Sequence, residues 1–231
     1  MAAELPKIIT HWQTLNLRFN AIYLGYLGKQ ALKVWLNSHR NLAMPTTLTL
    51  IDPVMGDNGH LYRGFDGEYV KDMQELIKQA TIVTPNFTEA AFLLNQPSLT
   101  TSPPTIELAK KLARTLALRF SIPTVVITGL NLANQQVGVV SYESQTDTTT
   151  ILTRPKLAGN FFGTGDLFAS SLLAGILTGL SLNQSSRLAM DFIAQAIANT
   201  PSDHDQRMGI NYASSLDILL TAFAKRGKKC D

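Results

Sequence analysis

Three short stretches of the chain set carboxylates beside glycine or proline in ways that suit chemistry on a phosphate group. The first is Gly163-Thr164-Gly165-Asp166, which opens an apolar run over residues 167–178. Two glycines let the backbone turn sharply and aim successive N–H groups at one point, and a helix start adds partial positive charge, so the turn makes an anion hole. Asp166 stands beside it, where a carboxylate could take a proton from a hydroxyl attacking phosphorus; the plainer alternative is that it caps its helix. The second stretch is Asp52-Pro53-Val54-Met55-Gly56-Asp57, leaving a strand over residues 48–51. Pro53 disfavours helix at Asp52 and carries the carboxylate off the strand end in extended chain. The third is Thr84-Pro85-Asn86-Phe87-Thr88-Glu89. Asn86 and Glu89 have the spacing of a capping box, and a carboxylate placed there could also hold Mg²⁺ directly or through water. There is no GxxxxGK[ST] signature, since the stretch from Gly25 to Gln30 lacks its spacing.

These stretches need elements to hold them. Short β-branched runs at 21–24, 48–52, 81–84 and 124–128 read as strands, and 137–142 with 149–153 reads as a hairpin across a polar turn at 144–147. Helical stretches are expected at 6–15, 30–39, 68–79, 88–94, 106–120, 166–178, 184–198 and 214–224. Strands alternating with helices imply right-handed crossovers and a mostly parallel sheet covered on both faces. Ligands of such sheets bind beyond the carboxyl ends of the strands, so the three stretches are expected just after the strand runs, and they fall there.

The bulk properties agree with one α/β domain over residues 1–231: 25.3 kDa, 45% hydrophobic and 16% charged residues. The net charge of +3 sits partly in the tail at 225–229, and no basic stripe marks a nucleic-acid binder. A lone cysteine, Cys230, allows no internal disulfide and points to the reducing cytoplasm; the four histidines show no metal-ligand spacing. The start carries no secretory signal, and the apolar run at 167–180 is short for a membrane span and broken by Ser170, Ser171 and Thr178.

Taken together, an acidic strand end, a TPNxxE strand end and a GTGD helix start on successive crossovers resemble the ribokinase-like kinases of vitamin B6 and hydroxymethylpyrimidine. The phrases DPVMGDNGHLY, TPNFTEAAFLL and FFGTGDLFASSLLAGIL, with Gly25-Tyr26-Leu27-Gly28 after the first strand, resemble the pyridoxal kinase branch in particular, over essentially the whole chain. The resemblance implies a three-layer α/β/α fold and ATP-dependent phosphorylation of the 5′-hydroxymethyl group of pyridoxal, pyridoxine or pyridoxamine, with Mg²⁺ and a monovalent cation such as K⁺. It also implies a cytoplasmic homodimer with no membrane or nucleic-acid partner. Residue by residue, it makes Asp166 the catalytic base and Gly163, Thr164 and Gly165 the anion hole. Glu89, Asn86 and Asp52 would organise Mg²⁺ and the ATP phosphates, with Asp57 and Thr84 as further cation-site candidates. Thr128, Arg154 and the residues up to Leu157 would lie near the nucleotide. Tyr26 would face the pyridine ring, and Tyr62 would belong to a lid beginning after Asp57 that excludes water on closure.

Members of this group open with a strand carrying a substrate-binding serine, a helix, a second strand and a threonine-bearing loop, and this sequence matches none of them. The expectation is a fold lacking the first two strands, with residues 21–24 as the sheet edge, the nucleotide half of the site present and much of the substrate half missing. Two other readings stand beside an active pyridoxal kinase. One is a non-catalytic nucleotide-binding remnant. The other is a hydroxymethylpyrimidine kinase, although some enzymes of that branch place a cysteine near the anion hole and this chain has none there.

Overall fold

The computed structural model describes residues 4–133, 135–159 and 161–227; Cys230 and the end of the basic tail lie outside them. The chain divides into two compact units. One takes in the chain up to Leu130 together with Val140–Ile151, and the other Asn131–Val139 and the chain from Leu152 onward.

In the first unit, helix α1 (Glu4–Thr14) leads into strand β1 (Phe19–Leu24), helix α2 (Lys29–Leu42) and strand β2 (Ala43–Ile51). A small hairpin, β3 (Gly56–Asp57) and β4 (His60–Leu61), precedes helix α3 (Gly67–Ile77), strand β5 (Ile82–Val83), helix α4 (Phe87–Leu93) and helix α5 (Ile106–Phe120). Strands β6 (Thr124–Leu132), β7 (Gln136–Glu143) and β8 (Thr148–Pro155) then carry the chain on to helices α6 (Thr164–Leu177), α7 (Leu182–Ala198) and α8 (Leu216–Gly227).

The main sheet runs β1-β2-β5-β6-β7-β8, with β1 at its edge as expected. The pairs β1/β2, β2/β5 and β5/β6 are parallel, because each strand is followed by a helix that returns the chain to the sheet's starting end. Leu50, Ile51, Val83, Val125, Val126 and Ile127 are buried, the continuous apolar strands of a sheet covered on both faces. Helix neighbours α1/α2, α2/α3, α3/α4 and α4/α5 pack together in this unit. Helix α2 is fixed to its following strand by His39, whose buried ring Nε2 lies 2.9 Å from Thr49 Oγ1.

In the second unit α6 packs against α7, and the approach is close: a side chain at Gly175 would meet Ser185 Oγ at 2.7 Å. Helix α7 opens with a capping box of Ser181 and Gln184. Among the described residues no helix is long and apolar enough to cross a membrane.

Candidate functional site

The parallel register brings the carboxyl ends of neighbouring strands into line. Ile51 pairs with Val83, so Asp52 and Thr84 are the next residues on adjacent strands, and beyond the end of β5 Asn86 bridges to Thr128, midway along β6 and not at its end as expected. Backbone bonds fix these residues: Asp52 N–H donates to Leu24 O at 2.8 Å, Thr84 N–H to Ile51 O at 3.1 Å, and Thr128 N–H to Pro85 O at 2.9 Å. Asp52 and Thr84 are buried. Thr84 Oγ1 is buried with no hydrogen-bond partner, an orphaned oxygen beside a buried carboxylate. An unmet acceptor of that kind suits a cation.

Glu89 stands at the third position of α4 and is almost wholly buried. Its Oε2 accepts from Asn86 N–H at 2.9 Å while Asn86 Oδ1 accepts from Glu89 N–H at 3.0 Å, closing the capping box the spacing foretold. Its Oε1 accepts from Met55 N–H at 2.9 Å and more weakly from Gly56 N–H at 3.5 Å. Those two amides follow Val54, a β-branched residue held at φ +34°, where few such residues are found. Glu89 therefore holds a strained turn in place as well as capping its helix. Burial pushes its carboxyl up to about 7, with the three N–H bonds working against the shift and the charge of Asp57 adding to it.

Asp57 is exposed, and its carboxylate accepts from Asn58 N–H at 2.8 Å and Asn58 Nδ2 at 3.0 Å. Beyond it the chain forms a two-residue hairpin at Asn58 and Gly59, both with positive φ (49° and 80°), the I′ pattern that Asn-Gly favours. Helix α4 pins this hairpin: Asn86 Nδ2 donates to Gly56 O at 2.8 Å, and Gly59 N–H donates to Thr88 Oγ1 at 3.0 Å. The segment assigned to a lid is thus anchored at its start. Tyr62 follows it, partly exposed, with its N–H donating to Met55 O at 2.9 Å. Tyr26, 64% exposed, lies in the loop after β1. Among the described residues no three His, Cys, Asp or Glu side chains gather as a metal-binding group. The buried Asp52 carboxylate and Thr84 hydroxyl at the strand ends are oxygen donors of the kind Mg²⁺ takes.

In the second unit the Gly-Thr-Gly-Asp turn opens α6. Its N-cap is Gly163, in the left-handed region at φ +79°, with no side-chain cap. Thr164 and Gly165 are the first two helical residues and Asp166 the third, so Asp166 is an exposed first-turn acid and not the cap. The start of α6 lacks the side-chain oxygen that capped helices present to their first N–H groups. Arg154, at the end of β8, donates from Nε to Asp191 of α7 at 2.7 Å and from Nη1 to Thr153 O at 2.9 Å, which orients its guanidinium.

Sequence reasoning missed a cleft of about 170 Å³ beside this turn, lined by Phe162, Gly163, Leu167, Met208, Ile210 and Tyr212. Phe162 and Met208 are largely exposed there. No local signal announces it, because only the fold brings the 162–167 and 208–212 stretches together.

Comparison with known proteins fits this arrangement. The sequence profile of the phosphomethylpyrimidine kinase family matches residues 12–211. The pyridoxine/pyridoxal/pyridoxamine kinase of Bordetella avium (strain 197N) is 30% identical over 185 residues, which cover 78% of this chain and 60% of that protein. Among solved structures, a Bacteroides thetaiotaomicron VPI-5482 protein assigned as a phosphomethylpyrimidine kinase, in its orthorhombic form with pyridoxal, superposes with a TM-score of 0.87 at 34% identity, over 96% of this chain and 77% of that one. Pyridoxal kinase from Lactobacillus plantarum gives 0.78 at 28% identity, over 97% and 78% of the two chains. The matched stretch spans 60% and 57% of the length of the first two curated relatives, and 37% and 40% of two others.

Proposed function

The chain belongs to the phosphomethylpyrimidine kinase family, and from that premise we propose that it is an ATP-dependent kinase of vitamin B6. It would transfer the γ-phosphoryl group of ATP to the 5′-hydroxymethyl group of pyridoxal, pyridoxine or pyridoxamine. The likeness to a B6 kinase and to a structure containing pyridoxal supports that acceptor class. The observation that carries the reading is the start of α6, where a left-handed glycine leaves the helix end without a side-chain cap and an acid stands in the first turn. In this reading both compact units belong to one kinase domain.

The N–H groups around Gly163, Thr164 and Gly165 face the developing charge on the transferring phosphoryl group. Asp166 takes the proton of the acceptor hydroxyl as its oxygen bonds to phosphorus and the bond to ADP breaks. The apolar cleft lined by Phe162, Leu167, Met208, Ile210 and Tyr212 suits the base of the nucleotide and Arg154 its phosphates; Thr128, in the first unit, is a further nucleotide candidate. Asp52 and Thr84 would hold a cation, Mg²⁺ or K⁺, with Asp57 at the rim and Glu89 with Asn86 supporting the turn from behind. Such an ion supplies charge neutralisation to the triphosphate. Tyr26 and Tyr62 offer aromatic surface to a flat acceptor ring.

The test is ADP release by this chain with and without pyridoxal, together with direct detection of pyridoxal phosphate. Pyridoxal-dependent ADP release matched by product is the expected result. The family profile favours a second reading, phosphorylation of hydroxymethylpyrimidine. Turnover with that acceptor and none with pyridoxal would establish it, and ADP release with neither would leave a nucleotide-binding protein without this activity.

A further inference from the structure

The loop after β1 carries Tyr26, and an exposed tyrosine on a loop would ordinarily sample several rotamers. Here its ring lies 5.8 Å from that of Phe65, tilted by 36°. Phe65 in turn stacks on Tyr69 at 3.9 Å and 11°. Tyr69 is only 1% exposed, and its hydroxyl donates to Leu27 O at 2.7 Å, within the same loop as Tyr26. The three rings therefore form a ladder that begins in the core of the first unit and ends on an open aromatic face.

Two further contacts close the arrangement. Asp66, next to Phe65, caps α3 by accepting from Tyr69 N–H at 3.0 Å, and it pairs with Lys29 Nζ at 2.6 Å. Phe65 N–H donates to Tyr62 O at 3.0 Å, so the turn that presents Phe65 is itself fixed. Each of these bonds ties the residue 62–69 stretch either to itself or to the 26–29 loop. The ladder cannot be read from the sequence, since Tyr26 and Phe65 lie on separate elements.

We propose that Phe65 is a positioning residue for the acceptor: it holds the ring of Tyr26 at a fixed tilt, so that the two form one platform for a flat heteroaromatic substrate. This rests on the reading of the acceptor as pyridoxal. A rigid aromatic face holds a planar ring with little loss of conformational freedom on binding, and offset or tilted ring pairs add attraction beyond the area they cover. Phe65 acts through Tyr26, so its influence falls on acceptor binding and leaves nucleotide binding alone.

The experiment is steady-state kinetics on Phe65→Leu, Phe65→Tyr, Tyr26→Leu and the Tyr26→Leu/Phe65→Leu double variant, with thermal melts on each; Phe65→Met replaces Phe65→Leu if that protein does not fold. Phe65→Leu should raise KM for pyridoxal about three- to tenfold, the worth of one aromatic pair, with KM for ATP and kcat within about twofold of wild type. Phe65→Tyr should restore the wild-type value. In the Tyr26→Leu background, Phe65→Leu should add nothing further. Unchanged pyridoxal KM in Phe65→Leu, an equal rise for ATP, or independent effects of the two substitutions would each overturn the inference while leaving the acceptor reading intact. A wild-type chain that does not turn over pyridoxal would overturn both.

Discussion

Helices α4 and α6 each carry an acid at the third position of the first turn, Glu89 and Asp166, and use it in opposite ways. Helix α4 opens on Asn86, whose side chain accepts from Glu89 N–H while Glu89 accepts from Asn86 N–H. The reciprocal bonds draw Glu89 inward, where it also holds Met55 and Gly56. Helix α6 opens on Gly163, which has no side chain to reciprocate, and Asp166 stays exposed. The N-cap residue thus decides whether a first-turn carboxylate becomes framework or is presented outward. The same acid at the same helical position carries shape in one case and can carry chemistry in the other.

The largest effect expected from this contrast is at Asp166. Asp166→Ala should lower turnover at least about 10²-fold, the usual share of a positioned general base, while melting temperature and nucleotide affinity stay near wild type. Wild-type turnover in that variant would show that α6 and α4 do not differ in the way proposed. Glu89→Gln should give the reverse pattern. An amide presents an NH₂ where a buried carboxylate oxygen accepts backbone N–H, and the strained turn at Val54 loses part of its hold. Its stability should fall by about 1–3 kcal/mol in urea unfolding, the cost of leaving a buried donor unmet. If Glu89→Gln unfolds like wild type but loses magnesium-dependent nucleotide binding, the acid is a ligand first and a cap second.

Gly163→Ala probes the other half of the pair more gently. Nothing lies within 4 Å of the added methyl, so the penalty is conformational: φ of +79° costs a residue with a Cβ about 1–2 kcal/mol. A melt shifted down by that amount, together with weaker nucleotide binding, is expected. An unshifted melt would mean that the turn relaxes, and that the left-handed opening of α6 is not needed to keep Asp166 outward.

How much of this the sequence reveals depends on how local the cause is. The capping box of Asn86 and Glu89 is legible because it is a three-residue pattern, and the strand ends at Asp52 and Thr84 because apolar runs stop there, whereas β6 runs on past the expected end at Thr128 to Leu132. The hairpin at Asn58-Gly59 was overlooked although its signal is present; its strands are only two residues each, too short to show alternation. Strand β2 begins at Ala43, earlier than the expected residue 48, and so takes in Pro45, which removes a ladder donor. It is tolerated since β5 pairs only with Leu50 and Ile51 and leaves that end without a second neighbour. The hold of Glu89 on Met55, the strained Val54, the cleft beside Phe162 and the Tyr26–Phe65–Tyr69 ladder all join residues that only tertiary structure brings together, and no spacing rule reaches them.

The smallest expected effect tests whether the strand framework behind Glu89 is held by buried polar pairs as well as by apolar burial. His39 is buried against Thr49, and burial holds its imidazole below the usual histidine range, with Arg40 adding to the depression and Gln79 opposing it. A depressed histidine favours the neutral ring in the folded state, so its contribution is fully present above the unfolded value of 6.5 and is lost as pH falls through the folded value. Glu89, raised to about 7, acts in the opposite sense over this range, so the signature of His39 is a difference: relative to His39→Gln, wild-type urea midpoints should fall between pH 7.5 and about 5, in the window where imidazole titrates. His39→Gln can still bond Thr49 but does not titrate over that range, so any advantage of wild type over this variant should shrink as pH falls. Equal slopes for wild type and His39→Gln would place the acid sensitivity of the first unit elsewhere and would remove His39 from the framework side of the contrast.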